Sequence, residues 1–232
     1  MRKGIICISL GGSIFFGKDG INVEYLKQFK SLLLKHKEEK FIISVGGGSP
    51  CRSYISEAKN IIDNNFVLDR IGVMFTKTNA LLLRNFLANS INMVYTEDIN
   101  EISEINTILE RSRVIVIGGI GIPGTTTDTT AVLSAEAIGL RKVINVSTES
   151  YVFDRNPKEK NAKKFVRLSH MSLVKLASEF DNRDAGTNFI FDIIACKLAK
   201  RSNIDLWFIN SDIRNLESAI NGKNANGTIV KG

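Results

Sequence analysis

Three times this chain runs from a block of apolar residues into glycine, and that repeated junction restricts the open folds more than any other feature. The longest instance is Val114-Ile115-Val116-Ile117-Gly118-Gly119-Ile120-Gly121-Ile122-Pro123-Gly124-Thr125-Thr126-Thr127-Asp128. Four β-branched residues without polar alternation predict a strand covered on both faces. The glycines and proline that follow permit positive φ and close approach of backbone to a ligand. Any of the three threonines can cap a helix beginning near Asp128. Strand, glycine turn and helix N-terminus together offer backbone N–H groups and the positive end of a dipole, which suits an anion. One such loop alone would read as an ordinary turn that needs glycine for geometry. Here Ile5-Ile6-Cys7-Ile8 before Gly11-Gly12-Ser13, and Phe41-Ile42-Ile43-Ser44-Val45 before Gly46-Gly47-Gly48-Ser49-Pro50, repeat it.

The rest alternates between helical and strand patterns. Residues 22–38 place Val23, Leu26, Phe29 and Leu33 on one helical face. A helix after the second glycine turn carries Tyr54, Ile55, Ala58, Ile61 and Ile62 inward, with Arg52 in its first turn. An arginine there opposes the helix dipole, and it faces either a bound phosphate or solvent. Met93-Val94-Tyr95 predicts a short strand, 98–110 a helix, and Ala131 to Ala137 another. A strand at 142–146 leads into an irregular polar segment, 147–171, which turns at Asn156-Pro157. Helices at 172–180 and 189–202, a strand at 206–209, a helix at 213–221 and a strand at 227–230 complete the order. Such alternation predicts an α/β fold, a three-layer αβα sandwich around a mostly parallel open sheet. Ligands of such sheets bind beyond the carboxyl ends of the strands, where all three glycine turns converge. Residues 69–88 are apolar on more than one helical face, with Asp69, Thr76, Thr78 and Asn79 as polar exceptions. That pattern predicts burial on both sides and hence a homo-oligomer.

Composition narrows the chemistry. No apolar run is long enough for a bilayer, and Met1-Arg2-Lys3 leads straight into a strand rather than a signal peptide, so no membrane partner is expected. Cys7, Cys51 and Cys196 are odd in number and widely spaced, as expected of buried thiols in a reducing cytoplasm. The formal charge of +7 is spread along helices among glutamates, which fits phosphate substrates better than a nucleic acid. His36 and His170 are isolated, which argues against histidine catalysis or a histidine metal site. No G-x-x-x-x-G-K-[ST] occurs, and no G-x-G-x-x-G opens a helix after the first strand. Phosphoryl transfer by positioning remains, with backbone amides, a few cations and Mg²⁺ around two facing phosphates.

The series Leu10-Gly11-Gly12-Ser13, Val45-Gly46-Gly47-Gly48, Arg52-Ser53-Tyr54-Ile55, Asp69-Arg70-Ile71-Gly72, Thr76-Lys77-Thr78-Asn79-Ala80, Gly118-Gly119, Pro123-Gly124, Thr126-Thr127-Asp128 and Gly227-Thr228-Ile229 resembles archaeal-type uridylate kinases of the amino acid kinase superfamily. The resemblance spans nearly the whole chain. It implies one amino acid kinase domain, with 1–146 as the phosphate-acceptor lobe and 147–232 as the ATP lobe. It further implies ATP as phosphoryl donor, UMP as acceptor, Mg²⁺, a homohexamer and a cytoplasmic enzyme. By the same resemblance Ser9, Leu10, Gly11, Gly12 and Ser13 lie along the ATP phosphates. Gly47 faces UMP and Gly48 the transferring group, with Arg52 stabilising its charge. Asp69 holds ribose hydroxyls, and Ile120, Gly121, Ile122, Pro123, Gly124, Thr125, Thr126 and Thr127 wrap UMP. Asp128 orients cationic groups, while Lys197 either reaches the ATP phosphates or snorkels from its helix. Ser147, Thr148, Phe153 and Asn156 fall in the segment that contacts adenine and ribose. There this chain reads Ser147-Thr148-Glu149-Ser150-Tyr151-Val152-Phe153 where relatives read Thr-Asn-Val-Asp-Gly-Val-Tyr. Ser9 stands where some branches carry a lysine, leaving Lys3, Lys197, Arg52 or metal to supply that cation. Other readings on the same scaffold are a sister kinase for another small phosphate or carboxylate, and a non-catalytic nucleotide- or oxyanion-binding relative.

Overall fold

The computed structural model describes residues 4–17, 20–157, 159–179 and 191–232. In chain order the first half holds β1 (Ile5–Leu10), α1 (Gly12–Phe15), β2 (Phe16–Gly17), β3 (Gly20–Ile21), α2 (Val23–Lys35), β4 (Lys40–Val45), α3 (Gly48–Ala58) and α4 (Asn65–Ala88). A 3₁₀ turn (Ile102–Glu104) then leads to α5 (Ile105–Arg111), β5 (Val114–Ile117), α6 (Thr127–Ala137) and β6 (Lys142–Ser147). The remainder is β7 (Val152–Phe153), β8 (Lys164–Phe165), β9 (Arg167–Ser169), α7 (His170–Glu179), α8 (Ile193–Ser202), β10 (Asp205–Asn210), α9 (Ile213–Ile220) and β11 (Gly227–Lys231).

The main sheet has seven strands in the order β5-β4-β1-β6-β10-β11-β9. The first five run parallel, β11 is antiparallel to β10, and β9 is parallel to β11. Continuous apolar strands need cover on both faces, and they receive it. Ile6, Ile8, Phe41, Ile43, Val114 and Val116 pack against α2, α4 and α9. Cys7, Ile42, Ile115, Ile117 and Val143 face the other way, against α5, α6, α7 and α8. A smaller cluster of Cys51, Ile55, Ala58 and Leu68 joins α3 to α4. This is the expected three-layer αβα sandwich.

Several expectations change in detail. Met93 takes a left-handed φ of 61°, so 93–95 supplies a single bridge, Val94 to Val114, instead of a strand. The predicted helix 98–110 starts later, because Glu101 and Glu104 form a capping box at its entry. The segment 147–171 is less irregular than its composition suggests: β7 pairs with β8, and β9 closes the sheet edge. Thr228 organises that region, accepting from the Val152 N–H at 2.9 Å and donating to the Phe165 carbonyl. Predicted helical positions 180 and 189–190 lie outside the described residues.

His36 and His170 are structural, as their isolation suggests. His36 caps α2 beside Glu39, and His170 meets the Ile204 carbonyl at 2.8 Å. All three cysteines are buried and free, and burial alone pushes the Cys7 thiol up to about 12. Among the described residues, no helix is long and apolar enough to cross a membrane. Along α4, Leu68, Ala80, Leu83 and Leu87 are buried, whereas Val67, Met74 and Leu81 are exposed at seven-residue spacing. Within one chain, therefore, one of its two apolar faces stands open.

A tight backbone contact lies where β1 and β4 end. A Cβ on Gly12 would stand 2.1 Å from the Gly48 nitrogen, whereas one on Gly17 would meet nothing nearer than 3.9 Å. Gly12→Ala is expected to lower unfolding free energy by about 1–3 kcal/mol, the usual cost of overpacking a rigid site. Gly17→Ala is expected to leave it within about 0.5 kcal/mol. Urea denaturation of both variants checks the pair.

Candidate active site

The three glycine turns leave neighbouring strands at one edge of the sheet. Gly11 N–H donates to the Val146 carbonyl at 2.9 Å, and Gly46 N–H to the Leu10 carbonyl at 3.0 Å, so the turns continue the sheet's hydrogen bonding past its strands. Gly12 then touches Gly46 and Gly48 backbone to backbone. Gly48 has φ of +78°, and a Cβ there would strike Phe16 and the Gly12 carbonyl, so glycine is required twice over. Helices α1 and α3 begin at Gly12 and Gly48, and first-turn N–H groups have no acceptor within their own helix. Two sets of backbone donors therefore open side by side with no side chain between them. Ser9 and Leu10 are buried, whereas Gly11, Gly12, Ser13 and Gly47 are half-buried.

Asp128, in the first turn of α6, forms the floor. Its carboxylate accepts from Ser9 Oγ at 2.8 Å, from Asn145 Nδ2 at 3.1 Å, and from the Asp192 backbone. Burial, with the nearby Asp192 charge, outweighs these bonds and pushes the Asp128 pKa up to about 6. Asp192, the N-cap of α8, is itself buried. Its side chain takes hydrogen bonds from Thr126 N–H (3.0 Å), Thr126 Oγ1 (3.2 Å), Thr129 Oγ1 (2.6 Å) and Ile194 N–H (2.9 Å). One carboxylate thus joins the N-termini of α6 and α8. Burial first, then both aspartates, hold the Cys196 thiol far above its ordinary range.

The loop from Gly118 to Thr126 is held at several points. Gly119 N–H donates to Thr76 Oγ1 at 2.7 Å, and Gly124 N–H to Asp69 Oδ2 at 2.7 Å. Gly121 and Gly124 have φ of +79° and +75° with open space around them. Thr125 Oγ1 donates to the Ile122 carbonyl, and Thr126 is the threonine that caps α6, accepting from Asp128 N–H. Between these ties Ile122 and Gly121 are exposed, and Ile120, Pro123 and Thr125 half-exposed.

The sequence profile of the Amino acid kinase family matches residues 4–210. The chain belongs to the amino acid kinase family. It is similar to the uridylate kinase of Thermoplasma acidophilum, with 36% identity over 99% of this chain and 97% of that one. The uridylate kinase of Archaeoglobus fulgidus is 33% identical, over 97% of this chain and 99% of its own. The crystal structure of uridylate kinase from Archaeoglobus fulgidus superposes with a TM-score of 0.80 at 30% identity, covering 97% of this chain and all of that one. UMP kinase from Ureaplasma parvum shares the fold, with a TM-score of 0.78 at 24% identity over the full length of both chains.

In this amino acid kinase, the other residues singled out in the sequence come from α3, β6, β7, α8 and the loops that follow β6 and β7. Arg52 is half-buried and opens the second turn of α3, not the first as predicted, because the helix already starts at Gly48, and Lys197 is exposed on α8; neither forms an ion pair among the described residues. Lys3 lies outside those residues. Ser147 ends β6 and donates to the Glu149 carbonyl, Thr148 and Asn156 are exposed, and Phe153 sits in β7 opposite Lys164. Sequence reasoning gave no role to Asn145, Asp192, Thr129, Thr76 or Asn79. Asn145 was visible as a lone amide in an apolar strand, and Asp192 as an acid opening an apolar helix.

The raised Asp128 pKa sets a sign for stability. Between 3.8 and about 6 the folded chain keeps a proton that the unfolded chain has lost, so this group makes stability fall as pH rises through that window and level off above it. Asp128→Asn is expected to melt higher than the parent at pH 7.5, with the advantage fading toward pH 4. Thermal unfolding of both proteins across that range checks it.

Proposed function

We propose that this chain is a UMP kinase, transferring the γ-phosphoryl group of ATP to UMP to give UDP and ADP. A phosphate oxygen of UMP forms the new bond to phosphorus, the β–γ bridging bond breaks, and its electron pair leaves on ADP. The observation that carries the reading is the contact of Gly12 with Gly48, which sets two helix N-termini against each other. Such an arrangement suits two phosphates meeting end to end, each held by backbone donors and dipoles. The uridylate kinases similar to it over almost their whole length support the choice of acceptor.

On this reading Ser9 to Ser13 line the ATP phosphates, with Ser147, Thr148, Phe153 and Asn156 toward the base and ribose. Residues 1–146 form the acceptor lobe and 147–232 the donor lobe. Gly47 faces UMP, Gly48 the transferring group, and the loop 120–127 wraps the uridine. Asp69 then holds the ribose with the oxygen left over from Gly124. Arg52 neutralises charge developing on the phosphoryl group, and Lys197 reaches the ATP phosphates from α8. Among the described residues no cluster of three or more histidine, cysteine or acidic side chains could cage a metal. That fits Mg²⁺, which is commonly held by substrate phosphates with one or two carboxylates. On this reading Asp128 is the carboxylate that would help hold the ion, which would supply charge neutralisation between the phosphates.

A coupled assay with ATP, Mg²⁺ and a panel of UMP, CMP, AMP and small carboxylates tests the reading. Turnover with UMP is expected. Retained nucleotide binding without turnover of any acceptor would replace it with a binding role. Asp69→Asn is expected to raise KM for UMP about tenfold while changing that for ATP far less. A dominant change in the ATP requirement would reverse the two lobes.

The open stripe on α4 supports a second copy of this chain as its cover, because apolar residues at seven-residue spacing pack well against a like helix. Met74→Glu is expected to lower the oligomeric mass seen by light scattering. An unchanged mass would place any interface elsewhere.

A further inference from the structure

Helix α4 carries three buried polar or charged side chains: Arg84, which pairs with Asp98, and two others, Thr76 and Asn79. Neither is needed for a helix, and both reach out of it to glycine turns. Asn79 Nδ2 donates to the Gly46 carbonyl at 2.8 Å and to the Gly47 carbonyl at 3.2 Å. In a trans peptide the carbonyl and the following N–H point in opposite directions, and the described residues contain no cis peptide. Drawing both carbonyls toward α4 therefore turns the N–H groups of Gly47 and Gly48 away from it. The Gly48 nitrogen lies against Gly12, where the two glycine turns meet. Thr76 does the reverse one strand over. Its Oγ1 donates to the Val73 carbonyl at 2.6 Å and accepts from Gly119 N–H at 2.7 Å, so that N–H is spent inside the protein. The fit there is tight, since a Cβ on Gly118 would sit 2.7 Å from the Lys77 nitrogen.

From this geometry we infer that Asn79 and Thr76 are positioning residues for phosphoryl transfer. Asn79 fixes the Gly47 and Gly48 peptides with their N–H groups toward the transferring phosphoryl group. Thr76 fixes the root of the loop that takes the acceptor nucleotide. The inference rests on the kinase reading, and it divides the labour of one helix. Asn79 acts on the chemical step, and Thr76 on acceptor binding.

Steady-state kinetics with UMP and ATP separate the two roles, with wild-type turnover of UMP as the reference. Asn79→Asp keeps the volume but sets an acceptor against two carbonyls. It is expected to lower kcat about 100-fold, the scale of losing one oxyanion-type donor, with KM for UMP nearly unchanged. Thr76→Val keeps the shape and strands the Gly119 N–H; it is expected to raise KM for UMP about tenfold, with little loss of kcat. Thr76→Ser, which retains the oxygen, restores KM. A wild-type protein that does not turn over UMP would remove the kinase reading. An active wild type with an unaffected Asn79→Asp, or with both variants losing kcat and KM alike, would overturn the division of roles. A crystal structure of Asn79→Asp, which needs no substrate, decides the peptide geometry in either case. A peptide at Gly46–Gly47 or Gly47–Gly48 turned over supports the inference, and an unmoved backbone refutes it.

Discussion

The contact between the turn after β1 and the turn after β4 is the constraint on which the rest depends. Adjacent parallel strands lie about 4.8 Å apart, so chains leaving both at the same edge must separate or run against each other. Here they run against each other, because Gly12, Gly46 and Gly48 present only hydrogens at the contact. Two helices start from that point, and their first peptides open into a common space without an intervening side chain. The sheet order then sets the neighbours: β5 brings the 118–126 loop to one side, and β6 brings Asn145 and the Ser147 segment to the other.

Around this backbone junction, buried polar side chains do the fastening. Thr76 and Asn79 hold two turns from one helix, and Asp192 gathers Thr126, Thr129 and the start of α8. Asp128 is the exception, a carboxyl whose own hydrogen bonds do not offset the cost of its burial. A group kept ionised against that cost at neutral pH fits a crevice where cations and phosphates assemble, and costs stability when they are absent.

The sheet and the convergence of its glycine turns were legible because strands covered on both faces carry unbroken apolar runs. Helices were legible where one face was apolar, and their ends were not. Helix α4 begins at Asn65, capped by Asn64, although exposed Phe66 and Val67 hide the pattern. The pairing of β7 with β8 was invisible, because strands of two residues carry no period. Most fastenings were also out of reach. Asp192 lies 66 residues from Thr126 and 63 from Thr129, so only the fold selects these partners. Asp69 was readable as a polar exception in an apolar helix, whereas its bond to Gly124, 55 residues away, was not.

The loop from Gly119 to Thr126 is bolted at both ends, by Thr76 at Gly119 and by Asp192 at Thr126, and the bolts belong to helices that also serve the core. Between them Gly124 is tied to Asp69, while Gly121 and Ile122 stand exposed. Evolution can therefore exchange residues 120–123 much as one changes a blade in a fixed handle. Change there leaves the strands and helices beneath undisturbed.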